Sequence, residues 1–232
     1  MNVLKQIGCS TVGKKYIMAG TGCLLFLFVV GHLAGNLQVF LGAEAINAYG
    51  HFLQSKPLMV WTARLGLLCL VVIHIVSAVQ LTKANRAARP REYDGAPKPP
   101  AASYASRTMM MSGLIVASFI VYHLLHFTVQ AEGINLLSET DFKGMTDGEG
   151  RHDVFGMMVA GFSQPLVSGF YVIAMGLMCL HLSHGVSSMF QSVGVRCCCP
   201  KSFDLGARVV AALVFLGYAS IPVAILVFGY GR

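Results

Sequence analysis

YIMAGTGCLLFLFVVGHLAGNLQVFL, residues 16–41, holds no carboxylate, lysine or arginine. About 20 predominantly apolar residues suffice for a helix to cross a bilayer's hydrocarbon core. Lys14 and Lys15 stand just before the run, as they would in a signal peptide. The run is longer than the roughly 7–15 apolar residues of a signal segment, and His32 and Asn36 would be odd inside one. The stretch therefore reads as a retained transmembrane helix. Its His32 is ionisable, and an ionisable side chain kept in lipid points to function.

Four further apolar runs follow, at 58–82, 108–130, 164–190 and 206–229. The chain of 232 residues is 55% hydrophobic and 12% charged, which excludes an ordinary soluble domain. The expectation is all-α: one domain over residues 1–232, a membrane bundle of five transmembrane helices with no soluble domain attached.

The net charge of +7 is better read as orientation than as affinity for nucleic acid, because basic residues gather in the short cytoplasmic loops of membrane proteins. Lysine and arginine number three in 1–15, six in 82–107 and three in 191–208, against two in 42–64, two in 131–163 and one at the C-terminus. The twelve against five put the N-terminus inside and the C-terminus outside. Residues 82–107 are basic and proline-rich, an irregular inner loop and a candidate docking surface for a cytoplasmic partner. Residues 43–57 read as a short outer connection, and 131–163 as an acidic outer loop with turns at Asp147-Gly148 and Glu149-Gly150. No sequence repeat is obvious.

The seven cysteines form no CxxC pair. Cys23, Cys69 and Cys179 read as small buried hydrophobes within helices. The run Cys197-Cys198-Cys199 has poor spacing for a zinc site. No cysteine lies in an outer loop, where oxidation would be favoured.

Histidines recur in the first four helices: His32, His74, His123 with His126, and His181 with His184. His32, His74, His123 and His181 each lie nine or ten residues before their helix's far end, roughly 14 Å at 1.5 Å per residue. Helices one and three run outward, and two and four inward. His32 and His123 therefore share an outer level, and His74 and His181 an inner one, roughly 13 Å apart. Neutral imidazoles in two pairs suit two haem irons as axial ligands. A hard cation would want carboxylates, and zinc would want its ligands at one point. His126 and His184 follow their neighbours by three residues on the same helix face and stay open as alternate ligands. His51 and His152 fall in outer connections and read as surface residues.

Small residues such as Gly22, Gly31, Gly35 and Gly113 mark helix contacts; around His32 they would equally open room for a porphyrin ring. Tyr16, Trp61, Arg64, Ser77 and Gln164 sit near helix ends as interfacial anchors, or within reach of haem propionates or a quinone carbonyl. No carboxylate lies deep in a helix, which leaves Glu44 and Glu132 at outer helix ends as quinone-site candidates.

Four blocks carry a resemblance: GHLAGNLQVFLGAEAINAYGHFLQS around His32, LVVIHIVSAVQ around His74, FIVYHLLHFT around His123, and MCLHLSHGVSSMFQSVG around His181. The chain resembles the single-chain, five-helix cytochrome b anchor of bacterial succinate:quinone oxidoreductases, the succinate dehydrogenases and fumarate reductases. That resemblance implies two b haems, the outer on His32 and His123 and the inner on His74 and His181. It implies a flavoprotein subunit and an iron–sulfur subunit docked on the cytoplasmic face of the bacterial cytoplasmic membrane, a membrane quinone as substrate, typically menaquinone, and room for a higher oligomer of the complex. The chain itself has no Cys₄ iron–sulfur pattern and no dinucleotide-binding glycine motif. Two other readings are a cytochrome b anchor of a hydrogenase or formate dehydrogenase, against which the GAEAINAYGHF block argues, and a haem-free transporter or anchor, against which the continuous helices argue.

Overall fold

Long apolar runs bounded by helix-starting residues dictate the main elements. The computed structural model describes residues 10–88, 108–134, 140–195 and 199–232. Helix α1, Thr11–Asn36, opens on Ser10, whose hydroxyl accepts a hydrogen bond from the Gly13 amide at 3.0 Å. It tightens into a 3₁₀ turn at Leu37–Leu41 and stops at Gly42, whose φ of 101° suits only glycine. Helices α3 (Pro57–Ala87), α6 (Pro165–Ser192) and α7 (Pro200–Phe228) each begin on a proline, which needs no amide partner in a first turn. Helix α4, Met109–His123, runs on as a π-helix at Leu124–Val129 and ends where Gln130 takes the left-handed φ of 52°.

Five of these helices are long and apolar enough to cross a membrane, so the chain is a multi-pass membrane protein, all-α among its described residues. Two shorter helices, α2 (Ala43–Gln54) and α5 (Val154–Phe162), stand in connections expected to be irregular. The expected spans held within a few residues except at three ends. Helix α1 begins at Thr11 rather than 16, α3 continues to Ala87 rather than 82, and α7 begins at Pro200 rather than 206. The last shift places Asp204 inside a helix, where its carboxylate accepts a 2.5 Å hydrogen bond from the Ser187 hydroxyl of α6. The inner loop expected to dock a partner falls at 89–107, outside the described residues, as do Cys197 and Cys198. Of the helix cysteines, Cys69 faces outward and Cys23 and Cys179 are half-buried, so the expectation of burial fails at Cys69. On an outer helix face in lipid, a thiol is as acceptable as any small apolar group.

Helix α6 is the axis of the bundle, packing on α1, α4 and α7, while α1 also packs on α3. Association in lipid depends on close backbone contact rather than on expelling water. Ala174, Met175 and Met178 of α6 are accordingly buried in one cluster with Val214 of α7, and Ala207 and Ala211 of α7 are buried as well. Gly217 of α7 lies so near α1 that a Cβ there would meet Leu33 at 2.8 Å. The order α3–α1–α6–α4 leaves α1 opposite α4 and α3 opposite α6, and neither opposed pair is among the closely packed ones.

An outer roof closes one end. "Inner" and "outer" keep the sense expected from loop charge. Asn47 of α2, 2% exposed, donates to Asp153 at 2.9 Å and to Asp147 at 3.4 Å, and accepts from the Phe155 amide at 2.9 Å. The Asp153 carboxylate also caps the Gly156 amide at 2.9 Å, so two orphan donors of α5's first turn are satisfied by side chains. Arg151 forks onto Glu44 at 2.6 and 3.0 Å and reaches Asp147 at 2.8 Å and Glu149 at 3.1 Å.

Candidate functional site: two histidine pairs on opposed helices

The outer pair meets directly. The rings of His32 (α1) and His123 (α4) lie 5.8 Å apart, at 78° to one another. Phe28 stacks on His32 at 5.3 Å, and Phe119 on His123 at 5.8 Å. At the inner level His74 of α3 and His181 of α6 are near enough to interact electrostatically.

The two members of the α4 doublet face different surroundings. His126 is fully buried, with its ring 4.0 Å from Phe127 and 5.5 Å from Phe142 and from Tyr122. The Tyr171 hydroxyl of α6 stands between them, 3.0 Å from Nδ1 of His126 and 3.3 Å from Nδ1 of His123. A hydroxyl can accept from one ring and donate to the other. His184 is half-buried one turn after His181 and close enough to act on it electrostatically.

Each inner imidazole rests on a neighbouring outward-running helix. His74 Nδ1 lies 3.0 Å from the Thr21 hydroxyl, and a Cβ on Gly22 would meet its Cε1 at 3.4 Å. His181 Nδ1 lies 3.2 Å from the Ser112 hydroxyl, and a Cβ on Gly113 would meet its Cε1 at 3.3 Å. Thr21-Gly22 precedes His32 by the same interval as Ser112-Gly113 precedes His123. Both helices therefore read Met-x₂-[Ser/Thr]-Gly-x₉-His, from Met18 and from Met109. The chain does hold a repeat, sparse enough to pass unnoticed as sequence. The pairs α1–α3 and α4–α6 run in the same order and direction, as in parallel internal repeats. Each pair supplies one histidine to each level. Thr21 marks the inner level on the helix whose His32 marks the outer, so the levels lie roughly 16 Å apart along the axis, somewhat more than helix lengths alone suggested.

The outer donor pair has the size that a haem iron would need. A metal–imidazole bond is about 2.0–2.1 Å, so rings on opposite faces of one ion have centroids roughly 6 Å apart, and the outer pair is of that size. Among the described residues no three His, Cys, Asp or Glu side chains gather around one point. The ligands available are thus pairs of imidazoles, which suit an ion already held in a macrocycle.

Other candidates sort differently. Glu44 is 71% exposed at its side chain and committed to Arg151, whose hydrogen bonds hold its carboxyl below the ordinary value. Burial pushes Asp147 up, but hydrogen bonds from Arg151 and from the Arg151 and Glu149 amides outweigh it and leave the group lowered. Arg151 is raised in turn, first by Glu44 and then by Asp147. Glu132 is exposed at the turn after the π-helix. His51 is exposed as expected, but His152 is half-buried. It bonds the Met145 carbonyl at 3.1 Å and the Gln130 amide at 2.9 Å, which ties the roof to the end of the third span. Arg64 stacks over Trp61 at 5.2 Å. Gly35 packs on Tyr49 of α2, while nothing lies within 4 Å of a Cβ on Gly31. Sequence reasoning missed Thr21, Ser112 and Tyr171 as partners of the histidines; the repeated [Ser/Thr]-Gly-x₉-His spacing was the available signal for the first two.

No protein-family model, curated protein or solved structure matches the chain.

Proposed function

We propose that this protein is the membrane-anchor cytochrome b subunit of a succinate/fumarate–quinone oxidoreductase in the bacterial cytoplasmic membrane. It carries electrons between an iron–sulfur subunit and a membrane quinone, with menaquinone the favoured substrate. The observation that supports this best is the pairing of histidines across opposed helices at two levels, one from each half of the repeat. His32 and His123 would hold the outer haem, and His74 and His181 the inner. A haem between two imidazoles supplies reversible one-electron chemistry without an open coordination position.

The chain's own contribution is positional. Helices α1 and α4 set His32 against His123. Phe28 and Phe119 flank that pair and limit its access to water. Flavin and iron–sulfur chemistry belong to partner subunits on the inner face. Affinity purification of the intact complex tests the reading, with cofactors counted by absorption spectroscopy. Two b haems per chain, with covalent or bound flavin and iron–sulfur clusters, are expected. One haem or none would overturn it, and a hydrogenase or formate dehydrogenase partner would reassign it.

A further inference from the structure

Hydroxyl groups usually leave a histidine's tautomer open, because they donate and accept equally well. At the inner level they do not. The Thr21 hydroxyl points its proton at the Ile17 carbonyl, 2.8 Å away, with Met18 O at 3.2 Å. The Ser112 hydroxyl points at the Met109 carbonyl, 3.1 Å away. With its one proton committed to the backbone, each oxygen faces the imidazole as an acceptor. That arrangement favours the proton on Nδ1 in both rings, with the lone pair on Nε2.

We propose that Thr21 and Ser112 are positioning residues that hold His74 and His181 as Nδ1–H tautomers and aim Nε2 at a metal. The proposal rests on the haem reading above and adds to it a device written twice in the chain. The repeated Gly22 and Gly113 belong to the same device. Each leaves room for the ring's Cε1–Nδ1 edge to come close to the neighbouring helix, where a side chain would press on Cε1. A ligand imidazole that donates its second N–H is a more basic ligand, and a more basic ligand favours the oxidised iron. Hydrogen bonding to axial ligands is one of the protein's means of setting a haem's potential.

The test compares Thr21→Val with Thr21→Ser, and Ser112→Ala with Ser112→Thr, in the intact complex. Potentiometric titration of both haems provides the readout. Thr21→Val and Ser112→Ala should each raise the inner midpoint by about a tenfold change in relative affinity for the two iron states, close to 59 mV for one electron. The outer midpoint should stay in place, and Thr21→Ser and Ser112→Thr should keep the wild-type value. Selective loss of the inner haem in Thr21→Val, with both haems kept in Thr21→Ser, also supports the assignment. If Thr21→Val does not assemble, Ser112→Ala removes a single oxygen and carries the test alone. An unmoved inner midpoint, an equal shift at both haems, or failure of the hydroxyl-bearing variants to rescue would overturn it. A wild-type complex lacking two b haems would instead defeat the cofactor reading itself, so the two failures are distinct.

Discussion

The inner and outer histidine levels are built by the same two helical pairs but held by different means. At the inner level each ring lies against a hydroxyl and a bare glycine from the repeated element, with the same partners on both sides. The outer level keeps one likeness, a phenylalanine stacked on each histidine from four residues before it, but its other contacts differ. His123 shares the Tyr171 hydroxyl with His126, whereas His32 stacks on Phe28 and lies 6.3 Å from the Tyr218 ring. The Tyr218 hydroxyl itself is spent on the Val29 carbonyl. The shared motif thus accounts for the spacing of His32 and His123 from the inner hydroxyls, and for the local hydrogen bonds of the inner pair alone. The differences at the outer level come from Tyr171 of α6, Tyr218 of α7 and His126 of the π-helix.

The contrast is most exposed at the α4 doublet. His123→Ala should abolish the outer haem and spare the inner, while His126→Ala should retain both, counted from reduced-minus-oxidised spectra. The reverse pattern would move the outer ligand one turn along and break the equal spacing of the repeat. Gly113→Leu attacks the other level. Its Cβ already meets His181 at 3.3 Å, so the larger side chain should displace the ring and cost the inner haem alone.

The roof can be loosened without touching either pair. Asn47→Ala leaves the half-buried Phe155 amide without its acceptor, a loss of about 1 kcal/mol. Hydrogen exchange should rise in α5 and residues 140–153, with both haem spectra unchanged. Acid should act in the same place more weakly. Glu44 and Asp147 have lowered carboxyl values in the folded chain, so their contribution is complete above the ordinary 4.5 and 3.8 and is lost as pH falls through the depressed values. Hydrogen-exchange protection in the roof, corrected for the intrinsic rates, should therefore fall on acidification before that of the spans does. High salt should mimic part of this, since Glu44 and Glu149 are exposed.

Much of the fold was legible because lipid imposes one dominant rule, that long apolar runs become helices. The ends were less so. Thr11–Tyr16 and Pro200–Gly206 carry charge and glycine yet continue their helices, because a cap at Ser10 and a proline start matter more than hydropathy there. Helices α2 and α5 were hidden in connections because their partners are distant in sequence: Asn47 finds Asp153 only after folding. At the candidate site the four histidines stood out as costly residues at matched depths. Thr21 and Ser112 did not, since a hydroxyl in a membrane helix ordinarily satisfies itself on its own backbone. They do that too, and doing so turns their remaining lone pairs toward the histidines.

The central claim is that two imidazole pairs hold two haems at separate levels. Redox titration of the purified complex, wild type beside His74→Ala, tests it most directly. The account predicts two resolved one-electron transitions of b-type spectrum in the wild type and only the outer one in the variant. A single transition in the wild type, or two in the variant, would contradict it.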